Sequence, residues 1–277
     1  MKKKVSLLIS CVLLLSTMLV GCVKDKKVSA AVENAEIESY TIEGIKSKGK
    51  LVVGTSADYP PFETHALKEG VDQIVGFDIE LAKYIAKELG VELEIKDMDF
   101  DKLLGGLSAG MLDIVIAAMN PDPNRLEEAN FTDIYYESKH LVIIHKDNAA
   151  NFNSIDDLEG KVVGVQLGTT QEKFAKTLDG VDILSLSSNP DLVMNLKSKK
   201  IDCAIMEEFV AKSFAKTNED LMVIESISIN SGSEGLAIAV KKGNDELTDR
   251  LNEIILDAKA KGLIEKWLIE TYELYGD

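Results

Sequence analysis

Cysteine is scarce: there are three in 277 residues. Cys11 is expected to leave with an N-terminal signal segment and Cys22, at its end, to be modified, so Cys203 has no partner and a disulfide framework is excluded. Cys203 lies in an apolar stretch and reads as a small buried hydrophobe. Histidine is as sparse, also at three. His65, His140 and His145 show no metal-ligand spacing, and His140 and His145, an odd number apart on an expected strand, point to opposite faces. No GxSxG or HExxH motif occurs, which leaves neither a nucleophile elbow nor a zinc-protease helix. No metal or cofactor is expected. Positive charge is outnumbered, with 31 Lys and Arg against 47 Asp and Glu and a net charge of −16. That sign disfavours nucleic acid as a partner. Beyond the first two dozen residues no long apolar run follows, so the body is not itself a permease or a transmembrane receptor.

What is present begins with Lys2, Lys3 and Lys4, an apolar run over residues 5–20, then Gly21 and Cys22. This is the pattern of a secretory signal peptide, residues 1–21. The Leu19-Val20-Gly21-Cys22 end resembles the bacterial lipobox, and the small Gly21 before Cys22 favours it over a spanning helix. The resemblance implies that Cys22 is lipidated and becomes the mature N-terminus, and several acyl chains together give stable anchoring to the outer face of the membrane. Removal of the signal and its three lysines takes the net charge to −19. Residues 22–40 are polar and rich in small residues, and are expected to form a disordered tether. Roughly 235 residues remain, enough for two lobes.

In that body short apolar strands alternate with helical patterns, the signature of βαβ units. KLVVGTS (50–56), VELEIKDM (91–98) and DIVIAAM (113–119) read as strands. FDIELAKYIAKELG (77–90) and FDKLLGGLSAG (100–110) read as helices. A second series follows: KVVGVQ (161–166), VDILSL (181–186) and DCAIME (202–207) as strands, and TQEKFAKTL (170–178) and PDLVMNLKSKK (190–200) as helices. LAIAVKK (236–242) and the helix 245–262 finish the body. LSAGMLDIVIAA (107–118) and LKSKKIDCAIME (196–207) fall in register, either as copies of one unit or as two instances of a common helix-turn-strand pattern. The alignment places Ala117-Ala118 and Glu207 at equivalent strand ends, and open α/β sheets bind ligands beyond the carboxyl ends of their strands.

GTSADYPPFE (54–63), VGFDIELAKYIAKELG (75–90), DIVIAAMNPDPNR (113–125), FTDIYY (131–136), LEGKVVGVQLGTTQE (158–172) and IDCAIMEE (201–208) together resemble the family 3 extracellular solute-binding proteins, receptors of polar amino-acid ABC transporters. The resemblance implies an α/β, two-lobed periplasmic-binding-protein-like fold of type II, each lobe a mostly parallel sheet flanked by helices, with the ligand cleft between the lobes. One lobe is expected over residues 41–145 and 232–277, the other over 146–231. It further implies a monomer that delivers a polar amino acid to a membrane permease and closes on its ligand as a hinge.

A zwitterion needs a cation for its carboxylate and an anion for its ammonium. Arg125, at the family's carboxylate-binding position, supplies a planar fork, and the loop carrying Thr169, Thr170 and Gln171 offers backbone N–H groups. Glu207, where relatives carry Asp, is expected to meet the ammonium. Tyr59 and Phe100 match the family's aromatic walls, whereas Phe62 reads as core. Where relatives show a Ser or Gly pair followed by a Ser or Thr, this chain reads Ala117, Ala118, Met119 and Asn120, so backbone carbonyls and the Asn120 amide stand in for the lost hydroxyl contacts. Ser56 takes the place of an Asp that meets a distal nitrogen in relatives with basic or amide ligands, which argues for a neutral polar or small amino acid. The rival is an enzyme on the same fold, of the cyclohexadienyl dehydratase kind, which requires a general acid or base positioned in the cleft.

Overall fold

The computed structural model describes residues 40–229 and 235–275. The expected signal peptide, Cys22 and the tether up to residue 39 lie outside the described residues.

Helix α1 (Ile42–Lys48) opens on Thr41, whose hydroxyl accepts the Gly44 amide at 3.1 Å. Strand β1 (Lys50–Thr55) follows, then a three-stranded antiparallel layer of β2 (Asp58–Tyr59), β3 (Glu63–Lys68) and β4 (Val71–Val75). Next come α2 (Phe77–Leu89), β5 (Glu92–Asp97), α3 (Leu103–Ser108), β6 (Ile114–Val115), α4 (Pro123–Glu128), β7 (Ala129–Phe131) and β8 (Tyr136–Glu137). A second run holds β9 (His140–His145), β10 (Val162–Gln166), α5 (Thr170–Ala175), β11 (Asp182–Leu186), α6 (Asn189–Lys197), β12 (Cys203–Glu207), α7 (Glu208–Thr217) and β13 (Leu221–Ile229). The chain returns through β14 (Gly235–Leu236) and β15 (Ala239–Lys241) and ends in α8 (Asp245–Ala260) and α9 (Leu263–Tyr275).

These elements build two five-stranded sheets of the same topology, β5-β1-β6-β15-β7 and β11-β10-β12-β9-β13. In each, the first three strands are parallel and the fourth is antiparallel to both its neighbours. The correspondence extends to single side chains. Asp113 accepts the Val52 amide at 2.7 Å in the first sheet, and Asp202 accepts the Val162 amide at 2.8 Å in the second. Gly110 and Lys199, three residues before each Asp, both turn with positive φ, at 75° and 57°. The two helix-turn-strand segments are therefore structural copies. The strands' carboxyl ends, reached at residues 55, 115 and 166, lead into the loops that line the cleft.

Several segments differ from the sequence expectation. His140–His145, assigned to the first lobe, pairs with β12 and β13 in the second sheet, so the lobe boundary falls before residue 140 rather than at 145. Five consecutive buried residues suit a central strand, and only the second sheet has that place for it. The crossing between lobes is the short pairing of β8 with β14, Tyr136 opposite Leu236 and Glu137 opposite Gly235. Residues 113–119 form a ladder only over Ile114–Val115, because the chain then leaves the sheet and Ala118 adopts φ 44°. The strand expected over 236–242 is split into β14 and β15.

Gly76 precedes α2 with φ 137°, and a Cβ there would lie 2.1 Å from the Phe62 carbonyl oxygen. Gly76→Ala is expected to destabilise the fold by more than about 2 kcal/mol, through backbone strain and a clash with fixed main chain. Urea denaturation of the purified variant measures it.

Candidate ligand-binding cleft

Arg125 organises the cleft. It lies on α4, whose N-cap Asp122 accepts the Asn124 amide at 3.0 Å, and it is 6 % exposed. Its Nη1 donates to the Asn120 carbonyl at 2.7 Å, its Nη2 to the Gly168 carbonyl at 2.8 Å, and its Nε lies 3.2 Å from an Asp122 oxygen. The Phe100 ring lies beneath the guanidinium, 5.1 Å from its central carbon. A guanidinium has five N–H donors, so two terminal donors are left to a ligand on the cavity side. Carboxylates are the acceptors that fit such a fork.

The facing lip comes from the second sheet. Thr169 caps α5 by accepting the Glu172 amide at 3.1 Å, and this leaves the amides of Thr170 and Gln171 without acceptors among the described residues. Across the cleft, the Thr170 hydroxyl bonds Asn120 Oδ1 at 3.1 Å, and Gln171 Nε2 donates to the Tyr59 hydroxyl at 3.2 Å. That hydroxyl also accepts the Glu207 amide at 3.3 Å. Tyr59 therefore ties the first lobe to two elements of the second.

Two carboxyl groups complete the wall. Asp58 accepts the Asn189 amide at 2.8 Å, and burial raises its pKa to about 6. Glu63 is 1 % exposed, and its Oε2 has no partner. It faces Asp78, which accepts the Ala118 amide at 2.7 Å and the Tyr135 hydroxyl at 2.9 Å. Burial lifts Asp78 to about 7 despite these donors, and burial together with the Asp78 charge holds Glu63 well above the usual carboxylate range.

A narrow cavity lies between the lobes. Its wall includes Ser56, Tyr59, Phe100, Ala117, Ala118, Asn120, Arg125, Thr169, Thr170 and Gln171, all expected from the sequence. Glu207 is not on that wall. Its Oε2 turns back to accept the amides of Phe209 at 2.7 Å and Val210 at 3.1 Å, so it caps α7, and its Oε1 is buried without a partner. Asp58, Glu63 and Gln166 line the cavity and were not expected. Asp58 was within reach of the sequence reading, two residues beyond Ser56 in the same turn. Phe62 is fully buried among Tyr59, Phe77 and Tyr136, as core. His140 is buried with its pKa lowered to about 4, and no group of metal-ligating side chains occurs among the described residues.

The profile of the bacterial extracellular solute-binding proteins, family 3, matches residues 51–272. The chain belongs to this family. The arginine-binding extracellular protein ArtP of Bacillus subtilis (strain 168) is 42 % identical over 222 residues, covering 79 % of this chain and 84 % of that protein. The L-cystine-binding protein TcyJ of Escherichia coli (strain K12) is 30 % identical over 248 residues, covering 86 % and 91 %. Among solved structures, the amino acid ABC transporter substrate-binding protein AbpA from Streptococcus pneumoniae Canada MDR_19A, bound to L-arginine, superposes with a TM-score of 0.81 at 39 % identity, covering 83 % of this chain and 98 % of that one. The two sheets and their cleft are thus the two-lobed α/β fold of this solute-binding family. Its members here are binding proteins, so the dehydratase reading is set aside. The family works outside the cytoplasm, and no helix among the described residues is long and apolar enough to cross a membrane.

The raised carboxyls set the pH dependence of stability. Burial is the first cause at Asp58 (about 6), Asp78 (about 7) and Glu207 (about 8), each above its unfolded value of 3.8, 3.8 or 4.5. The folded form binds the extra protons, so the stability they confer is complete below the unfolded values and is lost as pH rises through the folded ones. The melting temperature of the ligand-free protein is expected to fall between about pH 5 and pH 8, and calorimetric scans across that range test it.

Proposed function

We propose that this solute-binding protein captures a cationic amino acid, L-arginine, and presents it to the permease of an ABC importer. The observation that carries this reading is the charge pattern of the cavity wall, where one buried guanidinium, Arg125, accompanies two carboxyls, Asp58 and Glu63. Arginine carries the complementary set, one carboxylate and two cations. In this reading Arg125 and the free amides of Thr170 and Gln171 take the ligand carboxylate. Tyr59 and Phe100 flank its body, and Glu63 and Asp58 receive positive charge. Glu63 Oε2 has no donor among the described residues and Glu63 shares its burial with the Asp78 carboxyl, so a ligand cation there would offset the like charges of the pair. The names of ArtP and AbpA point the same way. A cationic ligand replaces the neutral one expected from Ser56, because Asp58 supplies the carboxylate that position 56 does not.

The remainder of the reading concerns the whole chain. Lipid on Cys22 and the polar stretch 23–39 would hold a monomeric body at the outer membrane face. The lobes would close as a hinge about the β8 and β14 crossing, and the closed form would dock on the permease.

Titration calorimetry tests the ligand. L-arginine is expected to bind far more tightly than citrulline, its uncharged isostere, and Glu63→Gln should erase most of that difference. Arg125→Ala is expected to weaken arginine binding roughly 30-fold to several-thousand-fold, the usual cost of truncating one partner of a buried charged contact. Arginine affinity should rise from pH 5 to pH 7.5, because a cation favours the ionised form of Asp58, whose carboxyl burial raises to about 6. Equal binding of arginine and citrulline by the parent protein would refute the arginine reading.

A further inference from the structure

Outside the cavity wall, one ion pair among the described residues joins the lobes. Lys173 lies on α5, which packs on β10 of the second sheet, and Asp122 caps α4, which packs on β7 of the first. Lys173 Nζ donates to both Asp122 oxygens at 2.8 Å. Asp122 is 6 % exposed, and the same carboxylate holds Arg125 Nε and the first amides of α4. Lys173 makes no other side-chain bond among the described residues. Its position within α5 therefore does not depend on the ion pair: the helix keeps its cap at Thr169 and its own ladder without it. The pair contributes to one thing, the approach of α5 to α4, and that approach brings Thr169, Thr170 and Gln171 against Arg125.

We propose that Lys173 is a closure residue, a positioning group that sets how long the cleft stays shut on its amino acid without touching that amino acid. The inference rests on the solute-binding reading above, and it deepens it from which residues hold the ligand to what governs its release. An open cleft separates Lys173 from Asp122, so the pair forms after encounter and acts on release. Its contribution is common to every ligand, because the pair lies behind the cavity wall. Asp122 is buried but Lys173 is half-exposed, so solvent screens the pair and the effect is moderate.

The test is a chase experiment on the intact protein and on Lys173→Ala and Lys173→Gln. Labelled L-arginine is displaced by an excess of unlabelled arginine, with L-histidine and L-cystine run in parallel. Both variants are expected to release ligand about 5-fold faster, equivalent to about 1 kcal/mol, with association within about 2-fold of the parent and ligand preference unaltered. Added salt should speed release from the parent and leave the variants unaffected, since a half-exposed pair is screened. A parent protein that binds histidine or cystine in place of arginine overturns the arginine reading, while its release rates still report on Lys173. Unchanged release rates in the variants overturn the closure role. So does a lowered melting temperature with parental release kinetics, the mark of a merely structural lysine. A change confined to one ligand does the same, since it would place Lys173 at the site itself.

Discussion

A guanidinium taken out of water is the constraint around which the rest of the molecule is arranged. Arg125 is buried, and such a cation persists only with its donors matched. Its partners come from three places: Asp122 at the start of its own helix, the Asn120 carbonyl beyond β6, and the Gly168 carbonyl of the other lobe. The third partner means that the cation is fully satisfied only when the lobes are together. In the proposed reading binding and shape are coupled at this side chain, whose two remaining donors await the ligand.

The second arrangement follows from the duplicated sheets. Each lobe brings its strand ends to the cleft with the same turn, fixed by Asp113 in one and Asp202 in the other, which accept the amide of the neighbouring strand. The loops after those strands then diverge. After β6 the chain leaves the ladder, and Ala118 takes a left-handed conformation with its amide on Asp78. After β12 it runs directly into α7, and the strand's last residue, Glu207, becomes that helix's cap. One framework thus gives two unlike walls, one with carboxyls and one with amides.

Much of this was legible in the sequence, and the reasons for the exceptions are local. The helix over Phe77–Leu89 was readable from its apolar period and terminal glycine, and Arg125 from its place in the family pattern. Tyr59 and Phe100 were readable only through the family pattern, since an aromatic at a strand end is ordinary core. The antiparallel layer β2 to β4 gave no signal, because most of its residues are polar or exposed and their alternation is weak. Glu63 was hidden for a related reason: a lone Glu after Pro-Pro-Phe carries no mark of burial, and its environment is set by Asp78 and Tyr135, fifteen and seventy-two residues away in sequence. Glu207 misled because its position in the strand was right and its side-chain direction was not. A carboxylate next to free helix amides finds them first.

The crossing between lobes has a consequence for how such proteins can be recombined. Glu137 and Gly235 are hydrogen-bonded strand neighbours, although nearly a hundred residues separate them. Everything between them leaves and re-enters the first lobe at one place, so the second lobe is an inserted cassette whose two ends are already side by side. A cassette taken from a relative and spliced at these two residues meets a preformed junction. It exchanges the amide-bearing wall while the carboxyl-bearing wall stays as it was. The chain's order along the sequence thus makes each half of the specificity separately inheritable.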